Sequence, residues 1–475
     1  MKLSALAAAP CNPDPDIKGL TPDSRAVKAG FLFAALPGEA ADGSAFIPQA
    51  EKAGAAAVLA RRGAKTSLPL IVDEEPRQRL AQMAARFYPR QPQVIAGITG
   101  TNGKTSTAVF AAALWSMLGL NAGSLGTLGA LSETYRRKLH HTTPEPVTLH
   151  ETLDQMAGAG VTHLGMEVSS HALAQFRADG VRFSAAAFTN ITQDHLDYHA
   201  DLAGYFDAKK RLFLDLLPVS GSAVVNMDGE GSEEVAKIAR ERGLKLITTG
   251  AGGETLRLAA LKPQPGGLDL VVEADRRRYD VKLPLIGAFQ AENALLAAGI
   301  VIASGHLAAD VLPLLQRLPG VPGRMQHAAE VGGAGIYVDY AHTPDAVETA
   351  LAAIRPHASG RVIAIIGAGG DRDRKKRPLM GAAAARGADH VIVTDDNPRN
   401  EDPSGIRREV LAGCPGAEEI GDRAEAIAIG VAMLRKGDVL LIAGKGHETG
   451  QIVGNETLPF DDVDVARQAA KEIGT

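Results

Sequence analysis

The run Gly97-Ile98-Thr99-Gly100-Thr101-Asn102-Gly103-Lys104-Thr105-Ser106 decides how the rest of this 475-residue chain is read. Val94 to Ile98 is a short apolar stretch and reads as a buried strand; Thr105 to Leu118 reads as the helix that follows. A glycine-rich turn opened by Gly97 and closed by Gly103, with Lys104 and Thr105 directly after it, reads as a phosphate-binding loop. Glycines let backbone N–H groups approach phosphate oxygens closely, and the helix N-terminus adds its positive dipole end. Lys104 would neutralise the β- and γ-phosphates, and the Thr105 hydroxyl suits Mg²⁺. ATP or GTP binding is expected. The loop alone leaves open what the γ-phosphate is used for.

Outward from this loop, short apolar runs alternate with Ala-rich helical stretches, the pattern of parallel strands with crossover helices. Thr162 to Val168, Ala185 to Phe188 and Ser222 to Asn226 read as strands of the same sheet. Arg361 to Ile366, His390 to Thr394 and Asp438 to Ala443 repeat the pattern and predict a second open sheet. From about Thr255 to Leu285 the sequence turns strand-rich and polar, as an antiparallel addition would. Tyr88-Pro89-Arg90-Gln91-Pro92 and Leu318-Pro319-Gly320-Val321-Pro322-Gly323 are turn-rich linkers. Division at these points gives three α/β domains, 1–88, 89–319 and 320–475, in keeping with a length too great for one core.

Composition narrows the function. Hydrophobic residues make up 45% and charged residues 22%, which excludes wholesale disorder, and 52 glycines without a G-x-y period exclude collagen. Lys and Arg total 50 against 55 Asp and Glu, net -5, which argues against a broad basic face for nucleic acid. Cys11 and Cys414 are the only cysteines, too few for a disulfide framework or a multi-cysteine zinc site. No signal peptide or 20-residue apolar stretch is evident, so a cytoplasmic protein without a membrane span is expected.

Thr99-Gly100-Thr101-Asn102-Gly103-Lys104-Thr105 is more specific than a general phosphate loop. It resembles the Mur ligase family, ATP-dependent amide-forming enzymes that include the folylpolyglutamate synthetases. The resemblance continues in order through Met166-Glu167-Val168-Ser169-Ser170-His171, Asn190-Ile191-Thr192-Gln193-Asp194-His195-Leu196-Asp197 and Tyr205-Phe206-Asp207-Ala208-Lys209. Gly323-Arg324-Met325 and Asp339-Tyr340-Ala341-His342-Thr343-Pro344-Asp345 follow. Thr21-Pro22-Asp23-Ser24-Arg25, His141-Thr142-Thr143-Pro144 and Ala443-Gly444-Lys445-Gly446-His447-Glu448 resemble the branch that adds the third peptide residue of peptidoglycan. Asp396-Asn397-Pro398-Arg399 resembles the members that take meso-2,6-diaminopimelate rather than lysine.

The resemblance implies a small N-terminal α/β substrate domain, a central P-loop parallel-sheet ATPase domain and a Rossmann-like C-terminal domain. It implies ATP and Mg²⁺ as cofactors, with UDP-N-acetylmuramoyl-L-alanyl-D-glutamate and meso-diaminopimelate as substrates and a monomeric enzyme. ATP would be held by Gly100 to Ser106, with Asn293, Arg324 and His342 contributing from beyond the loop; an interdomain salt bridge is the alternative role for Arg324. Thr105, Glu167 and His195 are the implied metal ligands, joined by Lys209 once CO₂ has converted it to a carbamate. An unmodified ammonium could not ligate a cation, and the adjacent Lys210 is expected to be an ordinary exposed lysine. Lys104, Lys209, Arg324 and His342 are the implied catalytic residues.

For the UDP-sugar dipeptide the corresponding residues are Thr142, Thr143, Ser169, Gln175 and Arg177. Ser24 and the Glu39-Ala40-Ala41 segment fall at the uridine end. The amino-acid pocket would be formed by Arg372, Asp396, Asn397, Pro398, Arg399, Gly444 and Glu448. Arg399 suits the distal carboxylate of diaminopimelate and Glu448 its ammonium. Asp371 to Arg377 would otherwise read as a solvated charged loop. The alternatives are a folylpolyglutamate synthetase-like ligase and a nucleotide-gated regulatory ATPase.

Overall fold

A computed structural model of the chain describes residues 1–38, 42–192 and 201–474. The chain forms two compact units, Met1–Thr255 with Leu296–Leu307, and Leu256–Leu295 with Ala308–Thr475.

The first unit opens with a four-stranded sheet in the order Gly19–Thr21, Phe31–Ala34, Ala57–Ala60, Leu70–Val72, every pair parallel. Both faces are covered. Leu3, Leu6, Leu32, Leu59, Leu80 and Met83 form one small core, and Phe33, Ile47, Val58 and Ala60 the other. The alternation of Leu32 and Phe33 to opposite faces is the period-2 signature of a strand buried on both sides.

The larger sheet of this unit runs Lys245–Gly250, Ser222–Asn226, Ala185–Phe188, Val94–Thr99, His163–Glu167, Ala122–Gly126, Gly129–Ser132, Arg136–Arg137. Its first six strands pair in parallel and the last two add antiparallel. Each predicted strand here is present within a residue or two of its expected bounds. The Val94–Thr99 strand is buried from Ile95 onward, as a central parallel strand must be with helices on both faces. Ile98 lies opposite Glu167 and Thr99 opposite Phe188, so three adjacent strands deliver their carboxyl ends side by side. That edge of an open parallel sheet is where ligands bind.

In the second unit, Leu256–Gln264, Gly267–Ala274 and Arg277–Leu283 form the expected antiparallel meander. A six-stranded sheet runs Gln326–Val331, Ala334–Asp339, Val439–Ala443, Val362–Ile366, His390–Val393, Glu418–Glu419, parallel except for its first pair. Arg423 donates through Nε and Nη2 to both oxygens of Asp462 at 2.7 and 2.8 Å, both side chains being fully buried. The same guanidinium reaches the carbonyls of Ala443 at 3.0 Å and Asp395 at 3.4 Å. It thus ties together the ends of two strands.

Removal of one member of such a pair strands a buried charge, so Asp462→Asn should cost about 3 kcal/mol or more. Replacement of both, Arg423→Met with Asp462→Leu, should recover most of the loss. Urea midpoints of the three proteins check this; equal destabilisation by the single and double variants would refute it.

His150 in the first unit is buried, its Nε2 2.9 Å from the Asp179 carbonyl, an acceptor that fixes the proton on that nitrogen. Burial pushes its pKa from 6.5 down to about 4. The folded chain therefore holds the ring neutral, and its contribution to stability is full above about pH 6.5 and is lost as pH falls through about 4. His150→Gln should flatten the decline of melting temperature across that window. Parallel curves for the two proteins would exclude the effect.

Candidate active site

Lys104–Met117 forms the helix after the phosphate loop, and Gly103, at φ 87°, precedes it without a capping side chain. The first helical N–H groups therefore face the loop unbound by any cap. Gly97 was read as opening the loop, but it lies inside the strand, where a Cβ would sit 2.7 Å from the Phe183 ring. Five residues separate it from Gly103, one more than the general P-loop spacing, so the turn proper is Gly100–Gly103. A Cβ on Gly100 would fall 1.8 Å from Thr189 Oγ1, which leaves glycine as the residue that fits. Asn190 braces the turn: its carbonyl accepts from Thr101 N at 2.9 Å and its Oδ1 from Asn102 N at 3.0 Å. Lys104 Nζ donates to the carbonyls of Gly100 at 2.9 Å and Thr101 at 2.6 Å. Ser106 is buried on the same first helical turn.

Glu167 ends its strand beside this loop and is 2% exposed. Its Oε2 accepts from Thr105 Oγ1 at 3.0 Å and Thr127 Oγ1 at 3.3 Å; its Oε1 accepts from Thr127 N at 2.8 Å. Thr127 Oγ1 lies 3.1 Å from Thr142 Oγ1. Thr143 Oγ1 donates to the Glu167 carbonyl at 2.9 Å and accepts from Ser169 N at 3.1 Å. Ser169 in turn caps Ser170–Ala174 through Ala172 N. Expected phosphate and dipeptide residues thus meet at one residue: Glu167 holds Thr105 through its carboxylate and Thr143 through its backbone carbonyl. Thr127 was not foreseen, because a lone threonine after a strand carries no sequence signal.

Arg177 is placed at this cluster, with its fork engaged by protein groups. Nε and Nη2 donate to Gln175 Oε1 at 3.1 and 2.7 Å, Nη1 donates to the Thr143 carbonyl at 3.0 Å, and Glu145 lies 3.0 Å away. Ser24 sits in the N-terminal sheet's first loop and donates to Gln49 Oε1 at 3.0 Å. Glu39, Ala40, Ala41 and His195 lie outside the described residues.

Lys209 is 1% exposed. Its Nζ donates to the Gly100 carbonyl at 2.8 Å and lies 4.2 Å from the Tyr205 ring centroid. Tyr205, one helical turn earlier, places its hydroxyl 3.3 Å from Thr101 Oγ1. The expectation for Lys210 is corrected: its side chain is only 14% exposed, paired with Asp207 and Glu234 and stacked over Phe206. Being half-buried among acids raises its pKa, the two carboxylates outweighing the opposing effect of burial.

In the second unit, Asn293 donates to Gln290 Oε1 at 3.3 Å, and Gln290 donates to the Arg324 carbonyl at 3.2 Å. The Arg324 guanidinium lies 5.0 Å from the centre of the Tyr340 ring, and the His342 ring 4.6 Å from it. His342 Nδ1 is 2.8 Å from the Tyr340 carbonyl, which assigns the proton to Nδ1. Asp339 accepts from Met325 N and Ala341 N at 2.7 and 2.9 Å; burial pushes its pKa up, opposed by Arg324.

The expected amino-acid residues gather at the carboxyl ends of the same sheet. Asp396 and Asn397 are buried, and Asp396 Oδ2 is a buried oxygen without a hydrogen-bond partner. A Cβ on Gly444 would lie 2.6 Å from it. Asn397 Nδ2 donates to Glu448 Oε2 at 2.8 Å. After Pro398, Arg399 adopts φ 52°, a region that residues with a Cβ rarely occupy, and its Nη1 donates to the Gly370 carbonyl at 2.8 Å. Burial raises the Tyr340 pKa, then Glu448 and Asp396 add to it while Arg324 and Arg372 oppose, so these groups share one electrostatic neighbourhood. Arg372 itself is exposed. The neighbouring charge run is not wholly solvated: Arg377 is 1% exposed and paired with Glu401 and Glu409.

A phosphate loop backed by a buried carboxylate, on a mixed α/β scaffold, defines an enzyme that uses a nucleoside triphosphate. The chain belongs to the Mur ligase family: residues 16–88 match the Mur ligase family catalytic domain, 98–301 the Mur ligase middle domain, and 323–446 the Mur ligase glutamate ligase domain. The UDP-N-acetylmuramoyl-L-alanyl-D-glutamate--2,6-diaminopimelate ligase of Bradyrhizobium diazoefficiens is 49% identical over 454 residues, spanning 94% of this chain and 93% of that protein. The protein of the same name from Caulobacter vibrioides is 48% identical over 481 residues, spanning 99% of each. A solved structure of a UDP-N-acetylmuramoyl-L-alanyl-D-glutamate--2,6-diaminopimelate ligase superposes with TM-score 0.74 at 33% identity, over 97% of this chain and 96% of that one. Folylpolyglutamate synthase from Mycobacterium tuberculosis shares the fold, with TM-score 0.60 at 20% identity over 84% and 95%.

Gly126 faces the site's central carboxylate: a Cβ there would lie 2.0 Å from Glu167 Oε1. Gly126→Ala should displace Glu167 and lower ATP-dependent turnover about 100-fold or more while circular dichroism stays native. Turnover within a few-fold of wild type would show that the position of Glu167 does not matter.

Proposed function

We propose that this ATP-dependent, amide-bond-forming ligase joins meso-2,6-diaminopimelate to UDP-N-acetylmuramoyl-L-alanyl-D-glutamate. The near-full-length relatives that carry this name support the reading. The single structural observation behind the amino-acid choice is Arg399. Its guanidinium is anchored through Nη1 on Gly370, and among the described residues Nε and Nη2 have no protein acceptor, a fork ready for a carboxylate. Asp396 Oδ2 and Glu448 are the acceptors for the ammonium at the same end of the molecule.

In this scheme Lys104 and the loop N–H groups hold the ATP phosphates, with Asn293, Arg324 and His342 as further contacts. A free D-glutamyl carboxylate oxygen attacks the γ-phosphorus, ADP leaves, and an acyl phosphate forms. The amine then attacks the acyl carbon; phosphate departs from the tetrahedral adduct and the nitrogen loses its proton. Thr142, Thr143, Ser169, Gln175 and Arg177 hold the dipeptide, and Ser24 the uridine end. Mg²⁺ takes hard oxygen donors and fills its remaining positions with water and substrate phosphates, and Thr105 and Glu167 are donors of that kind. When bound, the ion supplies positive charge to the transferring phosphoryl group. Lys209 would react as a neutral amine with CO₂, giving a carbamate and a proton, and its Nζ, buried 2.8 Å from the Gly100 carbonyl, would put that carbamate beside the phosphate loop.

We place the uridine end in domain 1–88, ATP in 89–319 and the incoming amino acid in 320–475. The setting is cytoplasmic peptidoglycan-precursor synthesis, by a monomer, in support of cell-wall growth and division. No helix among the described residues is long and apolar enough to cross a membrane.

Purified enzyme with ATP and UDP-N-acetylmuramoyl-L-alanyl-D-glutamate should release phosphate with meso-diaminopimelate and about 100-fold more slowly, at equal subsaturating concentration, with L-lysine. Arg399→Leu should raise the KM for diaminopimelate about tenfold or more and narrow that preference. Preference for lysine would remove Arg399 from the proposed role, and ATP turnover without either cosubstrate would favour a regulatory ATPase.

A further inference from the structure

Lys445 is fully buried, yet none of the chemistry above uses it. Its three N–H donors meet three acceptors: the Gly450 carbonyl at 2.6 Å, Asn397 Oδ1 at 3.1 Å and Glu448 Oε2 at 3.4 Å. A lysine ammonium cannot accept a hydrogen bond, so the atom of Asn397 that faces it must be the oxygen. That choice forces the Asn397 amide nitrogen toward Glu448, where it donates at 2.8 Å. Ile452 N fills the second lone pair of Asn397 Oδ1 at 2.9 Å, which locks the amide.

Glu448 Oε2 therefore has two donors, Lys445 and Asn397, while among the described residues Oε1 has no protein partner. The Glu448 side chain is 34% exposed, so that oxygen faces accessible space. Asp396, the preceding residue to Asn397, keeps its own Oδ2 unpartnered and buried.

We propose that Lys445 is a positioning residue for the amino-acid pocket: it sets the Asn397 amide and pins one oxygen of Glu448, so that the other is presented to an ammonium group of the substrate. The proposal rests on the reading of Asp396, Asn397 and Glu448 as the amino-acid site. Lys445 also supplies the positive charge that lets a second carboxylate sit near Asp396 before any cationic substrate arrives. Without it, Asn397 Oδ1 keeps only its Ile452 N donor, and Glu448 is free to swing toward water.

The test is steady-state kinetics of the full chain, each substrate varied with the other two saturating. Lys445→Met keeps length and apolar bulk but removes charge and donors. It should raise the KM for meso-diaminopimelate about 10- to 100-fold, with the KM values for ATP and the UDP-dipeptide within about twofold of wild type. A purely structural lysine would move all three KM values together, or lower only kcat and melting temperature, and either result overturns the proposal.

Should Lys445→Met fail to fold because Glu448 is left uncompensated, the double variant Lys445→Met/Glu448→Gln removes both charges and remains measurable. If Lys445 acts through Glu448, its KM for diaminopimelate should match that of Glu448→Gln alone within about twofold. A further rise of tenfold would overturn the coupling. A wild-type enzyme that saturates with another amino acid instead would overturn the diaminopimelate reading alone, and the same KM ratios for that amino acid would then decide Lys445.

Discussion

A carboxylate withdrawn from water has to be met by hydrogen-bond donors, and in the first unit Glu167 is that carboxylate. At 2% exposure it draws in the first residue pair of the phosphate-loop helix through Thr105 and the end of the neighbouring strand through Thr127. Its own carbonyl is tied to Thr143, which takes Ser169 N and is held by Arg177. Movement of this one residue would loosen the phosphate loop and the Thr142–Thr143 segment together. The same arrangement explains the place of Arg177: its donors are spent on holding Gln175 and Thr143.

The second unit solves a related problem with more charges. Four adjacent parallel strands, Ala334–Asp339, Val439–Ala443, Val362–Ile366 and His390–Val393, end on one edge, and every expected amino-acid residue follows one of the last three. Loops that converge in this way would splay if their acids were unpaired. Arg423 is clamped by Asp462 beneath Ala443 and Asp395, Arg377 by Glu401 and Glu409 beneath Gly369, and Lys445 by Asn397 and Glu448. Each buried cation donates to a backbone carbonyl at a strand end or in the loop just beyond one, so ion pairing and loop geometry are one device. Such pairs add little net stability over apolar residues of similar size, but they fix where the loops go.

Much of this is legible in the sequence. Apolar runs flanked by Ala-rich stretches gave strands that differ from the observed ones by a residue or two, because a strand buried on both faces has no alternation to obscure its ends. The motif residues lie at the edges of the sheets because topology puts them there: a residue that follows a parallel strand must emerge on the carboxyl edge. What escaped was long-range pairing. Thr127 reaches Glu167 across 40 positions and Arg423 reaches Asp462 across 39, and neither separation leaves a local pattern. Lys210 was misread for the same reason: its Asp207 partner lies one turn away, but Glu234 comes from another helix. Gly97 was misread because a glycine in a strand, there to admit Phe183, looks in sequence like a glycine in a loop.

Arg399 joins these two lines of argument. Its backbone at φ 52° is costly for a residue with a Cβ, and it is held there by Ile452 O accepting from its N–H at 3.0 Å and Gly454 N donating to its carbonyl at 2.7 Å. A strained backbone that neighbours over-determine is a way to aim a long side chain without relying on its rotamers. The guanidinium is aimed, and one nitrogen is already spent on the Gly370 carbonyl. For the proposed substrate this matters energetically. A pocket that merely tolerates a distal carboxylate would discriminate weakly, whereas one that holds a half-satisfied guanidinium in place penalises any amino acid that leaves its remaining donors unpaired. Selectivity against lysine would then come from the empty half of Arg399, and the strain in its backbone is what keeps that half from finding another partner.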